Sequence, residues 1–391
     1  MSSYAGRTAI AGIGATEFSK NSGRSELQLA CEAVRAALTD CGLEPQDVDG
    51  MATFAMDTNP EIDVARGLGI PELRFFSRVT YGGGAACAVL QQAALAIDSG
   101  VCEVVVIYRA FNERSGLRFG LGTGGRPVAP NTESTKLAFT NPFGLLTPAQ
   151  QVAMFAKRYM HFSGATSEDF GRVSVADRKH AANNPKAWFY GQPITLADHQ
   201  ASRWITEPLR LLDCCQESDG AQALVVTSRE RARSLRHPAA VIAGAAQGAG
   251  PDQYSMTSYY RPDITGLPEM SLVGDQLYKQ AGIGAADVQT AVLYDHFTPF
   301  VLTQLEELGF CERGEAKDFI RDGAIEIGGR LPVNTHGGQL GEAYIHGING
   351  IAEGVRQIRG TSVNQVEGVE HVLVTGGTGV PTSGAILRVD R

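Results

Sequence analysis

The sequence predicts an α/β protein of two similar halves, related by a pseudo-twofold axis and arranged in layers of helix and sheet. Three features of the 391-residue chain lead there. The strand-and-glycine run TAIAGIGA (8–15) returns as AAVIAGAAQG (239–248). A helix-length segment follows each copy, and an Asp-Val turn into a further apolar strand follows that helix. Each half then closes on a glycine-led helix and one more apolar strand, so the units come in the same order twice.

In the first half, SELQLACEAVRAALTDCGL (25–43) sets Leu27, Cys31, Val34 and Leu38 at helical spacing. Ser25 and Gln28 match a capping box at its start. PQDVDGMATF (45–54) reads as a turn and a strand. YGGGAACAVLQQAALAIDSG (81–100) is apolar nearly all round, which predicts a buried helix, and CEVVVIYRA (102–110) is the strand after it. In the second half MSLVGDQLYKQAGI (270–283), AADVQTAVLYDHF (285–297), HGGQLGEAYIHGINGIAEGVRQIRG (336–360) and EHVLVTGG (370–377) repeat the series. Ile348, Ile351, Val355 and Ile358 share one helical face. Residues 111 to about 210 break the pattern: they read as an inserted loop region with helices, notably PAQQVAMFAKRYMHF (148–162). Insertions of this kind often carry ligand contacts. The expected units are 1–235, insertion included, and 236–391.

Composition removes several function classes. Hydrophobic content of 43% and charged content of 19% are those of a globular protein. The formal net charge of −8 argues against nucleic acid as the main partner, because phosphate binding favours a basic face. The N-terminal run MSSYAGRTAIAGIGATEF lacks the basic start and long apolar run of a signal peptide. No stretch approaches the roughly 20 apolar residues of a membrane helix. The seven Cys include no CxxC pair, and no Cys/His cluster has metal-ligand spacing, so no metal is expected. Free thiols fit a reducing compartment, and the expectation is a cytoplasmic protein. GIGATE (12–17) lacks the third glycine of a dinucleotide fingerprint, and GGTGVPTSG (376–384) has no Lys-Ser/Thr of a P-loop.

Several runs carry a family resemblance: PLRLLDCCQESDGAQALVV (208–226), NPKA (184–187), GGGAACAVLQQAALAI (82–97) and NTHGGQLGEAYIHG (334–347). Over essentially its whole length the chain resembles the thiolase superfamily, and within it the sterol-carrier-protein-type thiolases and lipid-transfer proteins. The fold this implies is the five-layered αβαβα thiolase fold. The departures are as informative as the matches. On VTYGGGAAC (79–87) the thiolase nucleophile position falls on Gly83, while Cys87 lies about one helical turn further on. The family's Gly-His-Pro falls on Ala343–Tyr344–Ile345, and its His-Asp-Cys-Phe falls on Tyr294–Asp295–His296–Phe297. Both catalytic His positions therefore hold Tyr, and GGTGVPTSG has no second Cys.

That combination resembles the steroid side-chain-degrading aldolases of cholesterol catabolism. The resemblance implies retro-aldol cleavage of a β-hydroxyacyl-CoA on a steroid, giving a 17-keto steroid and propionyl-CoA, with Tyr294 and Tyr344 as catalytic residues. It also implies a separate DUF35-type OB-fold partner and a homodimer core within an α2β2 heterotetramer. The CoA thioester is substrate, and no cofactor is called for. A retro-aldol step needs a base for the β-hydroxyl proton, a stabilised thioester enolate and an acid for the new carbanion. Two phenols can serve, if one with a pKa of about 10 is activated. We assign Tyr344 as base and Tyr294 as acid, with Asp295, His296, His346 and Asn334 in support. His336 and the helix start near Gly347 are further candidates for activating the base. Backbone amides at Gly83, Gly377 and Gly379 are the expected oxyanion hole. Two other readings stay open: an acyltransferase using Cys87, and a lipid- or acyl-CoA-binding protein without activity.

Overall fold

The computed structural model describes residues 4–80, 82–121, 135, 137–377 and 379–391. Tyr81 of the first glycine-led helix, 122–134 and Lys136 of the inserted region, and Thr378 of the GGTG run lie outside the described residues. So do the first three residues of the N-terminal run.

The strands are β1 Thr8–Ala15, β2 Gly50–Phe54, β3 Phe75–Val79, β4 Val104–Asn112, β5 Trp204–Thr206, β6 Leu209–Arg210, β7 Asp219–Ser228, β8 Ala240–Gly248, β9 Thr290–Val292, β10 His371–Thr375 and β11 Thr382–Arg388. Nine of them form one mixed sheet in the order β3-β2-β4-β7-β1-β8-β11-β10-β9. The two halves join through a short antiparallel contact, Ala9 against Val241 and Ile10 against Ala240. Reading outward from that seam, β1-β7-β4-β2 on one side matches β8-β11-β10-β9 on the other. In both, the first two steps are antiparallel and the third is parallel. Even the edge is echoed: β3 pairs parallel with β2, and Val333 makes a parallel bridge to Ala291 of β9. The duplication in the sequence is thus a duplication of sheet topology.

Numbering the helices of eight residues or more, α1 is Glu26–Cys41, α2 Glu61–Leu68, α3 Ala86–Asp98, α4 Pro148–Ser163, α5 Ser167–Asn183, α6 Pro268–Ala281, α7 Thr298–Glu307 and α8 Ile348–Arg359. Three apolar clusters give the layering. One lies under α1 and α2, one surrounds α3 and α8 between the two half-sheets, and one lies under α4 to α7. The strands serve two of these at once. In β4, Val104, Val106, Tyr108 and Ala110 face the first cluster, while Val105 and Ile107 face the central one, as the period-2 pleat requires. The five layers expected of the thiolase fold are therefore present.

Several local expectations change. The inward stripe of α1 is Leu29, Ala30, Ala33, Val34, Ala37, Leu38 and Cys41, and Leu27 is 38% exposed. Small residues, rather than the large ones at the same spacing, let this helix lie close: a Cβ on Gly14 of β1 would come 2.2 Å from the Ala37 nitrogen. That close approach accounts for the glycines of GIGATE without any nucleotide. Ser25 does cap α1, accepting from the Gln28 amide at 3.2 Å, but the Gln28 side chain turns to Glu32 and the reciprocal arm of the box is missing. The inserted region holds the helix expected over 148–162, which is α4, and a second helix, α5, and both pack into the outer core of the second half. Within 336–360 a single turn, Gly338–Gly341, is followed by a loop through Tyr344, and α8 starts at Ile348 with the expected face of Ile348, Ile351, Val355 and Ile358 buried.

Candidate active site

A cavity of about 560 Å³ opens where the glycine-led start of α3, the chain beyond β9 and the loop before α8 converge. Gly83, Tyr294, His296, Tyr344, His346, Gly377 and Gly379 all line it. The strand β9 stops at Val292, so Tyr294 sits two residues past its end rather than within it. Its backbone is held there by the sheet's neighbours, the amide donating to Thr375 Oγ1 at 2.9 Å.

Asn334 and Asp295 set the loop that carries Tyr344 against this segment. Asn334 adopts a positive φ of 53° and accepts from the Leu293 amide at 2.9 Å through Oδ1. Asp295 accepts from the amides of Gln339 and Leu340 at 2.9 and 3.0 Å. Both therefore tie the Tyr344 loop to the Tyr294 strand end and leave the chemistry to others.

The tyrosines meet. The Tyr294 hydroxyl donates to Tyr344 Oη across 3.1 Å, and because a phenol oxygen both donates and accepts, the pair can pass a proton either way. The space for Tyr294 is made by missing side chains. A Cβ on Gly83 would lie 1.7 Å from Tyr294 Oη, one on Gly377 2.6 Å from Cε1, and one on Gly347 2.9 Å from Cε2. All are closer than real contacts allow, so Tyr294 and a side chain at position 83 exclude each other.

Burial raises both phenols well above their usual 10. The neighbouring histidines do not reverse this. His296, stacked on Phe300 with ring centroids 5.0 Å apart, is pushed down to about 3 by burial. His346 is held well below 6.5 by burial and by Arg109, whose Nε donates to its Nδ1 at 3.1 Å. That bond leaves the imidazole neutral with its proton on Nε2. Arg109 itself is fully buried and ion-paired to Asp57 at 3.2 Å. His336 lies outside the cavity lining, 3.8 Å from Glu342. Burial thus favours the neutral forms of Tyr294, Tyr344, His296 and His346 alike.

The thiol alternative fails on position. Cys87 is fully buried inside α3 with its Sγ 3.7 Å from the Val374 carbonyl oxygen, away from the cavity, and burial raises its pKa far up. Cys214 and Cys215 reach the cavity, but burial keeps both as thiols. Of the three expected oxyanion glycines, Gly377 is already spent, its N–H donating to the Gly83 carbonyl at 3.1 Å. Among the described residues no group of three or more His, Cys, Asp or Glu could hold a metal ion.

Sequence reading missed Asp57, Arg109, Glu113 and Lys20. Arg109 left one signal, a lone charge inside the apolar run VVVIYRA. Glu113 and Lys20 line the cavity from loops with no pattern of their own. Lys20 donates to Gln216 Oε1 and to the Glu217 carbonyl at 2.8 and 2.7 Å, and burial brings it down to about 8.

Residues 250–388 match the family described as thiolase C-terminal domain-like. The chain is 72% identical over 391 residues, all of both chains, to the steroid side-chain-cleaving aldolase of Thermomonospora curvata. It is 72% identical over 384 residues, 98% of this chain and 99% of the other, to the 17-hydroxy-3-oxo-4-pregnene-20-carboxyl-CoA lyase of Mycobacterium tuberculosis. A solved structure, the Ltp2-ChsH2(DUF35) aldolase, superposes with a TM-score of 0.95 at 70% identity and covers all of both chains.

Proposed function

The chain belongs to the steroid side-chain-cleaving aldolases of the thiolase superfamily, and from that premise we propose how its residues split a 17-hydroxy steroid CoA thioester into a 17-keto steroid and propionyl-CoA. The observation that carries the mechanism is the pair of neutral tyrosines, 3.1 Å apart, in a cavity whose nucleophile position has no room for a side chain.

Tyr344 accepts the proton of the 17-hydroxyl and passes its own across the shared bond to Tyr294. The C17–C20 bond breaks, its electrons forming the thioester enolate while C17 becomes the ketone. Tyr294 gives its proton to C20, completing propionyl-CoA. Each oxygen loses one proton and gains one, so no phenolate has to stand in a site that penalises it. Tyr294 takes the acid role because its hydroxyl lies where a residue-83 side chain would begin, the place from which a thiolase thiol reaches the thioester. A DUF35-type protein is the partner, in two copies on a homodimer core. The seven cysteines, none of them disulfide-bonded, fit the reducing cytoplasm.

The roles separate in deuterated water. Incubated with propionyl-CoA, the wild-type chain and Tyr344→Phe exchange the Cα protons, whereas Tyr294→Phe does not. Exchange by Tyr294→Phe at the wild-type rate overturns the assignment.

A further inference from the structure

We propose that Glu113 is a further catalytic residue, whose carboxylic acid donates a hydrogen bond to the thioester oxygen as that oxygen gathers enolate charge. The proposal rests on the retro-aldol reading above and adds the group that stabilises its intermediate.

Glu113 follows directly on β4 and is 3% exposed, yet it lines the cavity beside Gly83, Cys215, Tyr294 and Tyr344. Among the described residues it makes no ion pair, and its buried Oε2 has no hydrogen-bond partner. Three nearby cations have other bonds, although one buried nitrogen of Arg109, Nη2, is itself without a hydrogen-bond partner. Lys20 serves Gln216 and Glu217, Arg118 pairs with Glu217 at 2.6 Å, and Arg109 holds Asp57 and His346. A carboxyl group left in this state costs stability. A buried polar atom without a partner needs a reason, and a partner that arrives with the substrate is one.

The charge state fits a donor. Burial, reinforced by Glu217 and Asp219 and offset by Arg109 and Lys20, holds Glu113 well above the usual carboxyl range. Its charged form also opposes ionisation of Tyr294, Tyr344 and Cys215. A carboxylate here repels an enolate, while the neutral acid supports it, as acids kept neutral by apolar sites do elsewhere. Of the backbone amides at hand, that of Gly377 is turned to Gly83 and does not serve as the donor. Glu113 keeps its proton throughout, so the proton balance of the tyrosine relay is unchanged.

The test compares Glu113→Gln, which retains a donor, with Glu113→Ala, which does not. Loss of one oxyanion donor costs roughly 10²–10³-fold in kcat. We expect that loss for Glu113→Ala with KM changed only a few-fold, and kcat within about tenfold of wild type for Glu113→Gln. The activity of Glu113→Gln does not decline on the alkaline side as the wild type's does, because an amide cannot ionise. Stability provides the control. A carboxyl whose folded pKa exceeds its unfolded one destabilises the fold progressively as pH rises between the two. Both variants should therefore melt at or above the wild-type temperature, with the gap widening as pH rises. Wild-type turnover by Glu113→Ala, or equal losses in both variants with a lowered melting temperature, overturns the proposal. A wild-type chain that releases no propionyl-CoA refutes the aldolase reading itself.

Discussion

Tyr294→Phe and Tyr344→Phe each lower kcat by roughly 10²–10⁴-fold, the range for loss of a positioned acid or base. Both proteins stay folded. Each change removes one hydroxyl from a bond of 3.1 Å and keeps the ring that fills the space, so stability moves by only about 1 kcal/mol. The double variant is the sharper case. In the proposed relay the two hydroxyls act together, so removing both should cost little more than removing either, as for other groups that act as a unit. Steady-state kinetics of the three variants measures this directly. Losses that multiply would mean that the tyrosines act separately.

Gly83→Ala produces the second large effect. The new Cβ would fall 1.7 Å from Tyr294 Oη, so the ring or the backbone at position 83 must shift. Overpacking of this sort costs typically 1–3 kcal/mol. Here it also displaces the acid, so kcat falls by at least about 10²-fold, in line with the sensitivity of catalysis to misplacement of about 1 Å. Gly83→Cys fails in the same way and gains no thiolase activity. A double-mutant cycle with Tyr294→Ala supplies the check: once the ring is gone, Gly83→Ala should cost almost nothing in stability.

These two expectations show what could be read in the chain. The duplication was legible because each strand and helix of one half has its own hydrophobic period, and the two copies share an order that the sheet reproduces from its seam outward. Tyr294 and Tyr344 were legible as pairings with family motifs. What the sequence could not carry was distance. Nothing in it tells that the hydroxyls meet, that Gly83 is open for the sake of a ring 211 positions on, or that the Gly377 amide is already used. Charge was hidden for a related reason. Arg109, Asp57 and Glu113 lie far apart in sequence from the tyrosines, and burial rather than any local pattern makes them matter. The amphipathic reading of α1 placed Val34 and Leu38 correctly but missed the small residues Ala30, Ala33 and Ala37, whose value is closeness and not hydrophobicity.

The central claim is that this thiolase fold breaks a carbon–carbon bond without an acyl-enzyme. The most direct measurement is intact-protein mass spectrometry, quenched during turnover of a 17-hydroxy steroid side-chain CoA thioester with the DUF35-type partner present. Propionyl-CoA and the 17-keto steroid should appear together while the protein mass stays that of the unmodified chain at every time point. An added acyl group on any cysteine, Cys87 and Cys215 included, with kinetics that match product release, would contradict it.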